Sequence, residues 1–403
     1  EQAPSRPAAL ALVAFAFVVV MAGNTLPTPL YVLYQARLGF SDLTLTAIFA
    51  AYVIGVLGSL LLAGRLSDET GRRPLLLCGL GASAASALIF LAAPSVASMF
   101  LARILSGISA GTFTATATAA LTDLSASKKR ATLLATVCNI GGLGIGAPLA
   151  GALATAFQTD ALRAPFLVHL GLLASALVAV LAAPETVRRQ GRLRLALRRP
   201  GVPAQVRGVF VYATLAGFCG YAVLGLFTAL VPSFLAQLLG VSSRVTAGAV
   251  VFVAFAASTV AQLTCGPLIA KPRMGVIAGL GMMVLGLMLV VGALLGSSLG
   301  LLVAGAVVSG AGQGVGFRAG MAALNEATPE DRRAEVATAF FVTAYVAISI
   351  PVIGVGLGAD LAGLRPAGVG FGVCVAALAL VTMVGLARRP VDRAAQFFRS
   401  PRA

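Results

Sequence analysis

Twelve long apolar runs, separated by short polar segments, constrain the fold of this chain more than any other feature. Each run is about 20 residues or longer, which is the length that an α-helix needs to cross a bilayer. The runs lie at roughly 8–34, 42–63, 74–93, 95–121, 131–155, 165–183, 208–238, 244–268, 275–295, 298–323, 334–357 and 366–387. They do not alternate apolar with polar residues, as the strands of membrane barrels do. The sequence therefore predicts an all-α membrane protein with twelve transmembrane helices, called spans 1 to 12.

The net charge of +16 is explained by membrane topology rather than by a nucleic-acid partner. If the N-terminus is cytoplasmic, 23 of the 29 lysines and arginines fall on the cytoplasmic side and only four on the other. This bias is the positive-inside rule. We expect a multi-pass protein with both termini in the cytoplasm, and contact with anionic membrane lipid. Short loops and a composition rich in arginine favour a bacterial inner membrane.

The chain repeats itself at an interval of 203 residues, about half its length. Segments 106–151 and 309–354 align without a gap, and their matches include Arg130 with Arg333. A repeat of this length predicts two six-helix halves. The predicted domains are an N-terminal six-helix bundle over 1–187, a cytoplasmic linker over 188–207, and a C-terminal six-helix bundle with a basic cytoplasmic tail over 208–403.

The polar segment between spans 2 and 3 reads Gly-Arg-Leu-Ser-Asp-Glu-Thr-Gly-Arg-Arg. It resembles the signature loop of the major facilitator superfamily, G-x-L-x-D-x-x-G-R-R/K. The matching residues are Gly64, Leu66, Asp68, Gly71, Arg72 and Arg73. The resemblance implies two parallel six-helix bundles related by an axis along the membrane normal, and it extends to the family's 12-span drug/proton antiporters.

The resemblance also implies that this loop is a gate. In the family, Asp68 would accept hydrogen bonds at the N-terminal end of span 11, and Arg72 would pair with Asp123 at the cytoplasmic end of span 4. Such contacts are worth about 1 kcal/mol each when exposed, so they can break and re-form. The alternative is a polar loop that only obeys the positive-inside rule.

Arg103 lies inside span 4, and Arg103-x-x-x-Gly107 resembles a second motif of the family. One interpretation is a charge that faces a central cavity, since ionisable residues inside membranes are commonly functional. The other is an arginine that donates to backbone carbonyls of span 1. The resemblance implies a cavity lined by spans 1, 4, 7, 10 and 11, and its candidate residues are Asn24, Thr28, Tyr31, Arg103, Tyr221, Gln313, Arg318 and Tyr345. For each one, helix packing is the alternative role.

Span 5 contains a run of small residues that resembles a motif of the antiporters. Its members are Gly142, Gly146, Pro148 and Gly151, with Ala147 standing where the motif has glycine. We expect small residues to let spans 5 and 8 approach closely and proline to bend the helix.

The residue that binds a coupling ion is harder to predict. All 13 acidic residues fall in loops, tails or span ends. His169, the only histidine, lies in the outer third of span 6, where a lone histidine is usually a structural hydrogen-bonding group. Pro184-Glu185-Thr186 resembles the segment that closes span 6 in the family. The five cysteines are predicted to be packing residues, and no metal or cofactor is expected.

These features predict a transporter rather than an enzyme. We expect a monomer that exports small amphipathic organic compounds, neutral or anionic, by proton-coupled antiport. Two alternatives are a solute importer of the same fold and a transport-inactive sensor or assembly factor. An intact gating loop argues against the second alternative, because a static scaffold does not need a reversible contact.

Overall fold

The computed structural model describes residues 7–93, 95–187 and 201–388, except for the side chains of 61–69, 129, 269 and 334. Within these residues, twelve helical segments are long and apolar enough to cross a membrane. They are Pro7–Leu38, Asp42–Leu60, Arg72–Ala92, Val96–Leu124, Arg130–Ala156, Ala164–Ala182, Ala204–Ala229, Arg244–Thr264, Pro272–Gly296, Leu299–Ala327, Glu330–Ala362 and Leu364–Ala387. The predicted all-α class with twelve spans is confirmed.

The helices of the first six spans have these bounds: Pro7–Thr25 and Tyr31–Leu38 in span 1, Asp42–Thr70 in span 2, Arg72–Ala92 in span 3, Val96–Leu124 in span 4, Lys128–Thr136 and Gly142–Ala156 in span 5, and Ala164–Ala182 in span 6. The helices of the last six spans are Arg207–Ala229 and Val231–Ser233 in span 7, Arg244–Thr264 in span 8, Pro272–Gly296 in span 9, Leu299–Ala327 in span 10, Arg333–Ala362 in span 11 and Leu364–Ala387 in span 12. A short helix, Gly266–Ile269, lies between spans 8 and 9.

The chain forms two compact units. Unit 1 comprises Glu1–Leu197 with Ser243–Phe252, and unit 2 comprises Arg198–Ser242 with Val253–Ala403. Residues 188–200 of the predicted linker and 389–403 of the predicted tail lie outside the described residues. The domain boundaries therefore stay a prediction.

The same helix pairs pack together in each unit. In unit 1, span 1 packs on spans 4, 5 and 6, and span 3 packs on spans 4 and 6. In unit 2, span 7 packs on spans 10, 11 and 12, and span 9 packs on spans 10 and 12. Each pair in unit 2 corresponds to a pair in unit 1, six spans later along the chain.

Local features repeat as well. Ser95 caps the start of span 4 with its side chain, and Ser298, which lies 203 residues later, caps span 10. A capping hydroxyl accepts a hydrogen bond from an N–H that has no partner inside the helix. Gly39 and Gly240 follow spans 1 and 7 with φ angles of 68° and 67°, in the left-handed region that favours glycine.

Spans 1 and 7 are interrupted at matching places. The first helix of span 1 ends at Thr25 and a 3₁₀ turn follows at Thr28–Leu30, around Pro29. The long helix of span 7 ends at Ala229, and the short helix Val231–Ser233 contains Pro232. Proline lacks an N–H and cannot continue the backbone ladder of a helix, so both interruptions follow from the sequence.

Large apolar side chains are exposed on the outer surface of the spans. Ile54, Val178 and Leu361 are 65%, 66% and 78% exposed. Exposure of this kind is costly in water, but lipid tails solvate these side chains in a bilayer. The apolar surface therefore agrees with a membrane environment.

The segment 64–73 differs from the predicted loop. The helix that forms span 2 continues to Thr70, and the next helix begins at Arg72, so Gly71 alone connects them. Residues 65–70 contain neither proline nor glycine, so nothing in the sequence stops the helix before Gly71. Gly71 has φ +99°, a conformation that L side chains rarely adopt.

Candidate gating and transport sites

Glu185 caps the N-terminus of span 3. Its carboxylate accepts hydrogen bonds from the backbone N–H of Arg72 at 2.9 Å and of Arg73 at 3.0 Å. The first N–H groups of a helix have no partner within it and carry a partial positive charge, which favours an anion. A Cβ atom at Gly71 would lie 2.8 Å from Oε2 of Glu185, so glycine at this position also leaves room for the carboxylate.

Two more backbone donors reach the same carboxylate. Oε1 of Glu185 accepts from the N–H of Thr186 at 3.0 Å and of Val187 at 3.2 Å. Partial burial alone would raise the pKa of Glu185, but the four N–H donors outweigh it and hold the pKa below its ordinary value of 4.5. Glu185 is therefore an anion at neutral pH.

Arg72 and Asp123 form an ion pair between spans 3 and 4. Nε of Arg72 lies 3.2 Å from Oδ2 of Asp123, and the two side chains are 11% and 33% exposed. Oγ1 of Thr186 donates to the same oxygen at 3.0 Å. The structure thus brings together the two residues that the family resemblance pairs. Whether the pair acts as a gate stays a prediction.

Arg73 reaches the end of span 6. Its guanidinium donates to the backbone carbonyl oxygens of Leu181 at 2.8 Å and Ala183 at 2.5 Å. The last carbonyls of a helix carry partial negative charge, which suits a cation. Side-chain contacts therefore connect spans 3, 4 and 6. We call this group the cytoplasmic network, after its predicted location, and its members are Arg72, Arg73, Asp123, Glu185 and Thr186.

Pro184-Glu185-Thr186 was expected to close span 6, but its contacts with the gating segment were not predicted. The available signal was charge: Glu185 is the only acid between Asp160 and Glu326, and it lies at the predicted cytoplasmic end of span 6. An isolated acid on the side of the membrane that carries most of the arginines indicates a specific basic partner.

The side chains of Gly64 and Asp68 lie outside the described residues, although the backbone there is helical. The predicted contact of Asp68 with span 11 therefore stays a prediction. In the second half, residues 266–269 form a short helix in place of the gating segment, and the acid is absent from 266–271.

Arg103 is 2% exposed and is held by backbone groups of spans 1 and 2. Nη1 donates to the carbonyl oxygen of Asn24 at 2.9 Å, and Nη2 donates to that of Phe49 at 3.4 Å. The guanidinium also lies over the rings of Phe49 and Tyr52, with centroids at 5.3 and 4.8 Å. Such contacts favour a buried cation without a carboxylate partner. This geometry corresponds to the second interpretation, an arginine bound to carbonyls.

The other candidate residues of span 1 are buried with Arg103. Asn24, Thr28 and Tyr31 are at most 5% exposed. Nδ2 of Asn24 donates to the carbonyl oxygen of Val20 at 3.0 Å. Oδ1 of Asn24 and the hydroxyl of Tyr31 have no hydrogen-bond partner among the described residues.

In unit 2, the candidate residues form two neighbouring groups. Tyr221 and Tyr345 meet edge to face with centroids 6.0 Å apart, and Phe317 lies 5.9 Å from Tyr221. Gly220 packs against Gln313, where a Cβ would lie 2.7 Å from Cγ of the glutamine. The structure therefore brings Gln313 next to the turn that carries Tyr221.

Gln313 belongs to a buried polar chain between spans 8 and 10. Ser258 donates to Oε1 of Gln313 at 2.5 Å and accepts from Nε2 of Gln262 at 3.3 Å. Arg318 donates to the backbone carbonyl oxygen of Gln262. Ser258 and Gln262 were not predicted, because they lie in span 8, which the family resemblance does not place among the spans that line the cavity.

The small residues of span 5 pack on two different helices. A Cβ at Gly142 would lie 2.7 Å from Cβ of Met21, and Gly146 packs against the carbonyl of Ala22, both in span 1. Gly151 packs on the backbone of Arg244 at the start of span 8. The expectation that this motif joins spans 5 and 8 is therefore wrong for Gly142 and Gly146, which face span 1 because they lie on the opposite side of the helix from Gly151.

Gly248 in span 8 leaves room for the backbone of span 5 at Ala147, where the motif itself would have a glycine. A Cβ at Gly248 would lie 2.5 Å from the carbonyl oxygen of Ala147 and 2.7 Å from Cα of Pro148. Close backbone approach of membrane helices needs a small residue on at least one side. Gly248 therefore permits this contact even though the motif has alanine before its proline.

An apolar cavity of about 410 Å³ lies within unit 2. Spans 7, 11 and 12 line it with residues that include Phe218, Pro351, Phe371 and Val375. Its walls present hydrocarbon and aromatic surface, so it suits the apolar part of a ligand rather than a charged group.

Comparison with known proteins identifies the family. The model of the Major Facilitator Superfamily matches residues 13–291 and 213–401. The multidrug resistance protein MdtL of Shewanella oneidensis is 37% identical over 103 residues, and the puromycin resistance protein pur8 of Streptomyces alboniger is 36% identical over 90 residues. The match to MdtL covers 25% of this chain and 26% of MdtL, and the match to pur8 covers 22% of this chain and 18% of pur8. The chain thus matches about a quarter or less of the length of these relatives.

Solved structures agree over nearly the whole chain. A bacterial homologue of the human lysosomal transporter Spinster aligns with a TM-score of 0.70 and 14% identity, covering 98% of this chain and 97% of the homologue. The human organic anion transporter MFSD10 aligns with a TM-score of 0.66 and 18% identity, covering 95% and 100%. At such identities the likeness concerns the fold. The family match over most of the sequence, together with this fold, shows that the chain is a multi-pass transporter of the Major Facilitator Superfamily.

Proposed function

We propose that this transporter exports small amphipathic organic compounds by alternating access, coupled to the entry of protons. The observation that carries the proposal is the similarity of about 100 residues to proteins named for multidrug and puromycin resistance. Since that similarity covers about a quarter of the chain, the direction of transport and the substrate need tests of their own.

The cytoplasmic network supports a transport cycle rather than a static scaffold. Arg72 and Asp123 are paired but not fully desolvated, with 11% and 33% of their side chains exposed. Ion pairs of this kind are worth about 0–1 kcal/mol. Contacts on this scale can break in one state and re-form in another without a large barrier. They stabilise the cytoplasmic ends of spans 3, 4 and 6, next to the proposed gate residue Asp68.

The intramembrane charges favour neutral or anionic substrates. Arg103 and Arg318 donate to backbone carbonyls, so in the described part of the chain their positive charge is not cancelled by a bound carboxylate. All acidic residues lie near span ends or outside the spans. The interior of the spans therefore carries positive charge, which attracts anions and repels lipophilic cations.

Asp68→Asn tests the gate. We expect the variant to reach the membrane in folded form and to lose most of its transport, because the change removes gate contacts rather than core packing. Glu69→Gln is the matched control, since it removes the neighbouring acid, which is not part of the motif. Wild-type transport by a folded Asp68→Asn variant would refute the gating role.

Transport assays in proteoliposomes test direction and substrate charge. We expect an imposed proton gradient to drive an anionic dye against the direction of proton flow, and a cationic dye of similar size to be transported poorly. Transport of the dye in the same direction as protons would indicate an importer. Export of the cation alone would refute the electrostatic argument, and no transport of any tested compound would favour the inactive scaffold.

A further inference from the structure

His169 is a buried ionisable residue whose role the gating network does not explain. It lies in span 6, on the helix Ala164–Ala182, and is 2% exposed. Neither Nδ1 nor Nε2 has a hydrogen-bond partner among the described residues. Almost all buried polar groups in proteins have such a partner. The expected role of a structural hydrogen-bonding group therefore finds no support in the contacts of this side chain.

The imidazole lies directly against the backbone of span 1. A Cβ atom at Gly23 would lie 2.8 Å from Cε1 of His169 and closer still to Nε2. Only glycine leaves enough space for the ring at this position. The structure thus fixes the ring beside one particular turn of span 1.

That turn of span 1 also binds Arg103. The carbonyl oxygen of Asn24, the residue after Gly23, accepts the hydrogen bond from Nη1 of Arg103 at 2.9 Å. Nε of Arg103, Oδ1 of Asn24 and the hydroxyl of Tyr31 are buried without a partner among the described residues. These atoms and the two ring nitrogens of His169, which lies against Gly23, are buried polar groups with unused hydrogen-bonding capacity along span 1, here called the span 1 cluster. Water or a ligand ordinarily satisfies such groups.

The charged and titratable groups around His169 can be named for each neighbouring helix. Span 1 carries Tyr31 and Tyr34 beyond its break, and span 4 carries Arg103, which donates to the carbonyl oxygen of Asn24. Span 3 carries Arg72 and Arg73 at its cytoplasmic end, where they contact the other end of span 6 or the adjoining network. The helix Gly142–Ala156 of span 5 contains no titratable residue.

Imidazole is the one group in this cluster whose ordinary titration lies near physiological pH. Tyrosine hydroxyls and guanidinium groups titrate far above it. An ionisable group inside a membrane span is a functional candidate by default, because burying it is costly.

We propose that His169 is the group that carries the coupling proton, a role that rests on the proposed proton-coupled export. The neutral imidazole takes one proton from water on the outer side and becomes an imidazolium. It returns that proton to water on the cytoplasmic side in a later step, so one proton crosses in each cycle and no electrons are transferred. The close approach to Gly23 positions the ring against span 1.

Protonation can be measured without knowing the substrate. Because the chain has a single histidine, ¹⁵N-histidine labelling of the full protein, purified with a tag that contains no histidine, gives ring signals from His169 alone. We expect these signals to titrate reversibly in nanodiscs between about pH 4 and 8. A ring that stays neutral over this range would overturn the proposal, whether or not the protein is an exporter.

Transport by His169→Gln separates coupling from substrate binding. In proteoliposomes loaded with an anionic dye, we expect the variant to keep dye–dye exchange but to lose accumulation driven by a proton gradient. Phe166→Leu is the matched control, because Phe166 is 1% exposed on the same helix, stacks on Phe90 and cannot titrate. We expect it to keep its proton-driven transport and the same pH profile as the wild type.

The outcomes distinguish the two proposals. Proton-driven accumulation by His169→Gln at the wild-type rate would overturn the role of His169 and leave proton-coupled export intact. If the wild type exchanges dye but a proton gradient drives no accumulation, the proposed antiport fails together with the role of His169. If the wild type transports no dye at all, the NMR titration alone decides whether His169 takes up a proton.

Discussion

Replacing Glu185 should destabilise the end of unit 1 that holds the cytoplasmic network, without changing the packing inside the spans. Its carboxylate accepts four backbone N–H groups, two at the start of span 3 and two just after Glu185 itself. Glu185→Gln keeps one carbonyl oxygen, which can retain the three donors that now reach Oε1. The amide nitrogen that replaces Oε2 cannot accept from Arg73, so that N–H loses its partner.

The expected cost follows from these contacts. One hydrogen bond contributes about 0.5–1.5 kcal/mol net, and an anion at a helix N-terminus contributes about 0.3–1 kcal/mol. Because the carboxylate is exposed to solvent, the lower part of each range applies. Glu185→Gln should therefore cost about 1 kcal/mol. Glu185→Ala, which removes the whole cap, should cost about 2 kcal/mol, the upper end for helix N-caps.

Thermal unfolding in detergent, followed by circular dichroism, measures this order. The melting temperature should fall from the wild type to Glu185→Gln and further to Glu185→Ala. Asp160→Asn is a suitable control, because Asp160 is an exposed acid in the turn before span 6. Equal melting temperatures for the wild type and Glu185→Ala would refute the capping role.

The pH dependence tests whether the charge of the carboxylate matters. Since the folded-state pKa of Glu185 lies below its ordinary value of 4.5, the stabilisation is fully present above about pH 4.5. It is lost as the pH falls through the lower, folded-state pKa. The difference between the wild type and Glu185→Gln should therefore shrink in acid, and a difference that stays constant down to about pH 3 would contradict this explanation.

Three further predictions concern other contacts. Arg72→Asp combined with Asp123→Arg should recover part of the transport that each single change removes, because the two side chains touch; strictly additive losses would speak against a functional pair. Gly248→Ala should lower the free energy of unfolding by about 1–3 kcal/mol, since its Cβ would meet the backbone of span 5. Gly171→Ala, whose Cβ would have open space around it, should instead raise the free energy of unfolding by up to about 1 kcal/mol. A change of the same sign for both variants in thermal unfolding would refute the packing argument. Arg103→Lys should cost about 1–3 kcal/mol in the same assay, because an ammonium cannot reproduce the guanidinium's two carbonyl contacts and its stacking; an unchanged melting temperature would show that these contacts contribute little.

Sequence alone was sufficient for the class of fold, because length and hydropathy leave few alternatives in a membrane. A run of about 20 apolar residues satisfies its backbone hydrogen bonds only as a helix. The interruptions at Pro29 and Pro232 were not predicted, although proline cannot continue the hydrogen-bond ladder of a helix. The helical continuation to Thr70 was missed, since a charged and turn-rich composition was taken to indicate a loop although no helix-breaking residue precedes Gly71.

The contacts of the candidate site were harder to predict, because they depend on which face of each helix meets a neighbour. The sequence placed Arg103 inside a span but left open whether it faces a cavity or backbone carbonyls. It gave Gly142 and Gly151 one common role, whereas the structure places them against different helices. Glu185 was recognised only as the end of span 6, because its partners in the gating segment are more than 100 residues away in sequence.

The repeat indicates where transport function resides in this chain. The contacts common to both units, such as the serine caps of spans 4 and 10 and the close packing of Gly107 and Gly310 on spans 2 and 8, concern helix packing. Some ionisable residues are duplicated, such as Arg130 with Arg333, but Arg103, His169 and the gating acid are not. Ala306 stands 203 residues after Arg103, Gly372 stands 203 residues after His169, and the gating acid has no counterpart in 266–271. A duplicated scaffold needs its packing contacts twice, but a pathway needs one gate and one proton carrier. Substitutions at repeated positions should therefore act mainly on folding, and substitutions at Asp68 and His169 mainly on transport.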